Sequence, residues 1–148
     1  MRTVFIILLI VFATNTKAQF APQASIVGST AIAASSSQIV NWASGCTIMR
    51  GYKNIAQPQM GYATAGDSAS AIGVNDNFIV SLGDSGVATL SFPHPIVNGV
   101  GADFVVFENG FANPANAEEA YLELAFVEVS SDGINYFRFP ATSNTQSD

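Results

Sequence analysis

One stretch, residues 121–140 (YLELAFVEVSSDGINYFRFP), constrains the fold more than any other part of the chain. Two runs of β-branched and aromatic residues flank the turn dipeptide Asp132-Gly133, a pattern that predicts a β-hairpin with a two-residue turn. Counted outward from that turn, the predicted cross-strand pairs are Val129 with Tyr136, Glu128 with Phe137, Val127 with Arg138 and Phe126 with Phe139. The rest of the domain is expected to lie beside this hairpin.

The two faces of this hairpin differ in polarity, because side chains alternate along a strand. In the predicted register one face is apolar and should form a core wall made of Leu122, Leu124, Phe126, Phe137 and Phe139. Glu128 falls on that apolar face, where an unpartnered carboxylate is costly to desolvate. We therefore expect Glu128 to lie at the rim beside hydrogen-bond donors or a cation, or else to have a raised pKa.

Residues 1–18 have the pattern of a cleaved signal peptide. An apolar run over residues 4–13 follows Arg2 and ends before the small-x-small sequence Thr16-Lys17-Ala18. Ten apolar residues are too few to cross a hydrocarbon layer of about 30 Å. We expect a secreted or cell-surface protein without a membrane span, with a flexible leader over residues 19–37 and a single domain over residues 38–148.

The charge balance excludes one class of partner. Without residues 1–18, three basic residues remain against eleven acidic ones, a net charge of −8. This balance lacks the basic footprint of a nucleic-acid-binding protein, and it disfavours anionic membranes. It is compatible with cations or neutral ligands such as sugars, although the solubility of an exported protein is the favoured explanation of the acidic balance.

Short apolar segments separated by turns, without a helical stripe, predict an all-β fold. We expect a jelly-roll type antiparallel β-sandwich that is incomplete at the C-terminus, since the sequence ends eight residues after the hairpin. Residues 78–82 and 87–92 should form a second hairpin, and residues 103–108 a covered central strand. Cys46 is the only cysteine, which excludes an intrachain disulfide and favours a packing role for this side chain.

A long segment, residues 50–77, shows neither strand nor helix periodicity and is rich in glycine. Loops of this length in a compact domain are usually functional or ordered by their own packing. The candidate ligand-binding side chains are therefore Tyr52, Tyr62, Asp67 and Asp76. The alternative is that the tyrosines cover an exposed end of the sandwich.

Oxygen-bearing side chains at the ends of neighbouring predicted strands are candidate calcium ligands, because calcium accepts six to eight oxygens. They are Asp103, Glu108, Asn109 and Glu128. The alternative is that Glu108 and Glu128 accept hydrogen bonds from loop amides at the rim.

Catalytic motifs are incomplete in this chain. Residues 83–86 (GDSG) match the nucleophile segment of trypsin-like proteases, yet the only histidine, His94, follows the serine and lies between two prolines. The same four residues are typical of a turn.

A glycoside hydrolase-like pair, Glu108 with Glu128, is the third hypothesis after a binding module and a structural spacer. We expect a protein that is not an enzyme.

Two sequence patterns resemble known proteins. Residues 127–136 (VEVSSDGINY) resemble the hairpin of discoidin-like, galactose-binding-like sandwich domains. The combination VSLGDSGVATLSF, NGVGADFVVFENGF and LELAFVEVSSDGINYFRFP is similar to a group of secreted, Bacteroidota-like cell-surface proteins that often carry a type IX secretion sorting domain. This resemblance implies export, a jelly-roll sandwich and a calcium-supported carbohydrate-binding role. A structural or adhesion spacer in a larger surface protein is the alternative.

Overall fold

The computed structural model describes residues 23–115 and 120–141. The predicted signal peptide and the start of the predicted leader lie outside these residues. The chain divides into two units, Met1–Ala31 with Thr142–Asp148, and Ile32–Ala141. In the first unit, residues 23–31 form consecutive turns in which Ile26 N donates to Gln23 O and Ser29 N donates to Ile26 O.

The described residues of the second unit, 32–115 and 120–141, contain six short strands in three separate antiparallel pairs. β1 (Gly45–Met49) pairs with β2 (Val87–Ser91), β3 (Phe111–Ala112) with β4 (Ala120–Tyr121), and β5 (Glu128–Val129) with β6 (Phe137–Arg138). Two 3-10 turns, Pro58–Met60 and Ser68–Ala71, interrupt the long connection between β1 and β2. In residues 23–115 and 120–141 there is no α-helix, which agrees with the predicted all-β class.

The partner of β2 differs from the prediction. β2 pairs with β1, placing Leu90 opposite Cys46 and Ala88 opposite Ile48, and residues 78–82 form no strand. The reason lies in the backbone just before β2. Leu82 O accepts from Gly51 N and Ser81 N donates to Ala65 O, so backbone groups at the end of the predicted strand are already used by other segments. The GDSG segment does form a turn, closed by Gly86 N donating to Gly83 O.

The predicted central strand at residues 103–108 is also absent. Asp103 instead closes a turn by accepting from Gly99 N at 2.8 Å. The aromatic side chains of this segment contact other rings: Phe107 stacks on Trp42 with centroids 5.8 Å apart, and Phe104 lies 5.6 Å from Phe139. Its apolar character therefore reflects ring packing and not a place in a sheet.

The C-terminal hairpin is present, but its register is one residue away from the prediction. Glu128 pairs with Arg138 and Val129 with Phe137, which leaves residues 130–136 in the loop where two turn residues were expected. The Asp132 carboxylate closes this wider loop by accepting from the amides of Ile134 and Asn135, at 2.8 and 2.7 Å. A side chain that satisfies several loop amides outweighs the preference of Asp-Gly for a tight turn.

This register gives Glu128 a cationic partner. Arg138 Nη2 lies 2.7 Å from Glu128 Oε1, and Arg138 Nε donates to the same oxygen at 2.7 Å. The expectation that Glu128 needs a cation or donors is thus confirmed, although the predicted opposite residue, Phe137, was wrong. The guanidinium also lies 4.3 Å from the centroid of the Phe126 ring.

The predicted core wall is not buried in the described part of the chain. Leu124, Phe126 and Phe137 expose 51, 65 and 72% of their surface. A short two-stranded pair has no second layer of its own, so its apolar face stays open.

The buried centre of residues 23–115 and 120–141 consists of Gly51 and Ala63. Three chain segments meet there at distances that only glycine permits. A Cβ on Gly83 would lie 2.6 Å from Tyr52 O and 2.9 Å from Ala63 Cβ, and a Cβ on Gly86 would overlap Leu82 O. We call Gly51, Ala63, Gly83 and Gly86 the glycine junction. It positions the segment that contains both candidate tyrosines.

Arg50 links the loops next to the glycine junction through hydrogen bonds. Its guanidinium donates to three backbone carbonyls, those of Ala65 at 2.8 Å, Gly66 at 2.5 Å and Ser81. Ser81 N also donates to Ala65 O at 3.1 Å, so this side chain reinforces an existing backbone contact. The planar fork of arginine suits several acceptors at once.

Candidate functional site

Tyr52 is held in place by backbone bonds on one side. Tyr52 N donates to Asp84 O at 3.2 Å and Asp84 N donates to Tyr52 O at 2.8 Å, so the two residues form a hydrogen-bonded antiparallel pair. The Asp84 carboxylate is engaged separately, because its Oδ2 accepts from Ile55 N at 2.7 Å. The position of Tyr52 therefore follows from the GDSG turn.

Tyr62 lies on the other side of Tyr52. The flanking bonds, Ala63 N to Gly51 O and Lys53 N to Gly61 O, are both 2.9 Å long. Tyr52 and Tyr62 thus form a non-hydrogen-bonded cross-strand pair, the type in which side chains approach most closely. Two tyrosines ten residues apart in the sequence are brought face to face.

The two tyrosine rings are stacked. Their centroids are 4.7 Å apart and their planes differ by 15°. Hydrogen bonding with the Tyr62 side chain raises the pKa of Tyr52 above its ordinary value, and the electrostatic effect of Tyr62 raises it further. Tyr62 is 54% exposed, whereas Tyr52 is half-buried. One ring thus presents its outer face to solvent and the other supports it.

The two other candidate ligand-binding residues serve local structure. Asp67 caps the turn Ser68–Ala71, its Oδ1 accepting from Ala69 N at 2.9 Å and Ser70 N at 3.2 Å. Asp76 Oδ1 accepts from Phe78 N at 3.1 Å. Of the four predicted residues, the structure brings the two tyrosines together.

The candidate calcium ligands lie in separate interactions. Asp103 accepts from Gly99 N, Glu128 pairs with Arg138, and Asn109 is exposed. Glu108 Oε2 accepts from Glu123 N at 3.1 Å, which is the hydrogen-bonding role given above as the alternative. Within residues 23–115 and 120–141, no group of three or more His, Cys, Asp or Glu side chains is arranged to hold a metal ion.

A second aromatic surface was missed by the sequence analysis. Phe111 on β3 stacks on Tyr121 of β4, with centroids 5.1 Å apart and planes at 23°. Together with Asn113, Pro114 and Ala120 the two rings line an open cavity of about 320 Å³. The available signal was the Asn113-Pro114 turn between two aromatic residues, which is typical of a short hairpin.

Cys46 is half-buried on β1, and burial raises the pKa of its thiol. A protonated thiol is a poor nucleophile, in keeping with the predicted packing role.

No family model, curated protein or solved structure matches the chain. None of the helical turns in the described part of the chain has the length and apolar character of a membrane span.

Proposed function

We propose that this domain is a secreted or cell-surface, non-catalytic binding module that holds a neutral carbohydrate against the exposed face of Tyr62. The observation that supports the proposal is the stacked pair: Tyr62 is 54% exposed, although the backbone on both sides of it is hydrogen-bonded to Gly51 and Lys53 and its ring stacks on Tyr52. A ligand-binding aromatic ring that is already ordered loses little conformational entropy on binding. The jelly-roll sandwich belongs to the same proposal.

The chemistry of the site favours a neutral ligand. A tyrosine ring offers a large apolar face for the C–H groups of a sugar ring, and its hydroxyl can hydrogen-bond to sugar hydroxyls. The chain is acidic, with a net charge of −6 over its full length, which disfavours anionic ligands by repulsion.

The test is a glycan array followed by calorimetric titration of the best ligand with the full chain. Tyr62→Ala should weaken binding by roughly tenfold, since loss of an aromatic contact costs about 0.5–1.5 kcal/mol beyond the buried area. Tyr52→Ala should also weaken binding, because Tyr62 then lacks its support. Tyr136→Ala is the matched control, as it removes a 44% exposed tyrosine elsewhere on the chain.

A structural or adhesion spacer is the second candidate function. It is supported by the number of carboxylates engaged in local contacts, among them Asp67, Asp76, Asp103 and Glu108. Failure of the wild-type chain on a broad array, with a cooperative unfolding transition, would favour the spacer. Calcium stays a prediction, tested by thermal unfolding with calcium and with chelator; a bound ion at a hundred times its dissociation constant adds about 2.7 kcal/mol.

A further inference from the structure

The stacked pair places two phenols next to each other. Tyr52 and Tyr62 occupy a non-hydrogen-bonded cross-strand pair, and their rings are nearly parallel, with centroids 4.7 Å apart and planes that differ by 15°. Because the two centroids are 4.7 Å apart, the ortho carbons of one ring, the two Cε atoms beside its hydroxyl, lie close to the other ring. Those carbons carry part of the unpaired electron density of a tyrosyl radical, which is shared among the oxygen, the ortho carbons and the para carbon.

We propose that Tyr52 and Tyr62 are the site of an oxidative modification, an intramolecular dityrosine cross-link. Each phenol loses one electron and one proton to a one-electron oxidant, here a haem peroxidase supplied with hydrogen peroxide. The two radicals join through a Cε–Cε bond, and the two ring protons return to the oxygens by tautomerisation. In total two hydrogen atoms leave the protein and one peroxide is reduced to two waters.

Such a cross-link has a clear structural use in this chain. A single cysteine excludes an intrachain disulfide, and the described residues bury only Gly51 and Ala63. A covalent bond across the pair would close the loop from residue 52 to residue 62 and restrict the unfolded chain, as a disulfide does. The 54% exposure of Tyr62 leaves its ring accessible to the oxidant.

The other two tyrosines provide an internal comparison. Tyr121 has a stacking partner at a similar distance, 5.1 Å, but that partner is Phe111, which has no phenol to oxidise. Tyr136 lies in the hairpin loop, 44% exposed. The four tyrosines of the chain therefore differ in whether a second phenol stands beside them.

The test uses dilute full chain treated with haem peroxidase and hydrogen peroxide, then trypsin. Cleavage after Arg50 and Lys53 releases the tripeptide 51–53 with Tyr52, while peptide 54–138 contains the other three tyrosines. We expect the tripeptide joined to peptide 54–138, lighter than the sum by two hydrogen atoms. Tyr62→Phe, which keeps the ring, should abolish this product, and Tyr121→Phe should leave its yield unchanged. The oxidised wild type should also melt at a higher temperature.

Three results would overturn the proposal. The first is release of the free tripeptide after oxidation of the wild type. The second is an equal yield of the joined product in Tyr62→Phe. The third is a product that links two copies of the chain and whose yield rises with protein concentration. Tyr52→Phe is the second variant. It removes the other phenol of the pair and should also abolish the product. Because no carbohydrate is present, the result is independent of the proposed binding function.

Discussion

At the scale of single residues, glycine decides how closely the segments of the glycine junction approach. Gly83 has φ +75° and faces two backbone carbonyls, whereas Gly73 has φ +76° and faces open space. The two positions share one backbone conformation and differ in their surroundings. They therefore separate the cost of a left-handed backbone from the cost of a steric clash.

Gly83→Ala should destabilise the protein more than Gly73→Ala. A left-handed conformation costs a non-glycine residue about 1–2 kcal/mol, so the free energy of unfolding should fall by this amount in both variants. Gly83→Ala adds an overpacked Cβ, at 2.6 Å from Tyr52 O, for about 1–3 kcal/mol more. Urea unfolding of both variants measures the difference, provided that the slope with urea stays constant. Equal losses would show that the junction does not pack as described.

Asp132 should make the stability of the hairpin loop depend on pH. Its carboxylate accepts from the amides of Asn135 and Ile134 and from the side chains of Asn135 and Ser130, which together hold its pKa well below its usual range. Because the folded-state pKa is the lower one, the ionised form stabilises the fold. This contribution is complete above the unfolded pKa, about 3.9, and declines as the pH falls below that value.

The measurement compares thermal unfolding of the wild type and Asp132→Asn across the acidic range. The wild type should melt at a higher temperature near neutral pH, and its advantage should shrink as the pH falls below about 4. A pH-independent difference would show that the charge of Asp132 does not stabilise the loop.

At the scale of elements, one arginine links segments that share no strand pairing. Arg50→Lys keeps the charge but loses the fork that reaches Ala65, Gly66 and Ser81. We expect a loss of about 1.5–3 kcal/mol, the range for hydrogen bonds to a charged group. Arg138→Lys is the matched control, and its half-exposed pair with Glu128 should lose less than about 1 kcal/mol. Similar losses in both variants would contradict the anchoring role of Arg50.

Elements were predictable from sequence where local chemistry decides, and unpredictable where partners compete. The hairpin near Asp132 and the GDSG turn follow from turn residues, and both are present. The predicted register of the hairpin is wrong because the Asp132 carboxylate binds loop amides, and a count of turn residues does not include these bonds. The predicted partner of β2 is wrong because backbone groups of residues 82–84 pair with Gly51 and Tyr52. Strand periodicity does not encode this contact.

At the scale of the whole molecule, the candidate site was half predictable. The sequence indicates Tyr52 and Tyr62 because they lie in a long irregular loop, and in the structure their rings are stacked. Nothing in their spacing gives the pairing, which depends on Gly51, Gly83 and Gly86 leaving room for the backbone. Asp67 and Asp76 lie in the same loop, but they accept hydrogen bonds within their own turns, because short polar side chains in loops bind nearby amides.

The glycine junction should be the most stable part of the described chain. Amides that donate to backbone carbonyls around the glycine junction, those of Gly51, Tyr52, Ala63 and Asp84, are 2.8–3.2 Å from their acceptors and lie beside the two buried residues. By contrast, the Gly99 amide donates to the Asp103 side chain in an exposed turn. Since exchange of an amide requires opening of its surroundings, hydrogen exchange followed by NMR should be slowest at these four amides and much faster at Gly99. If the slowest amides lay instead in the hairpin of β5 and β6, that hairpin, and not the junction that holds the tyrosine pair, would be the most stable part of the described chain.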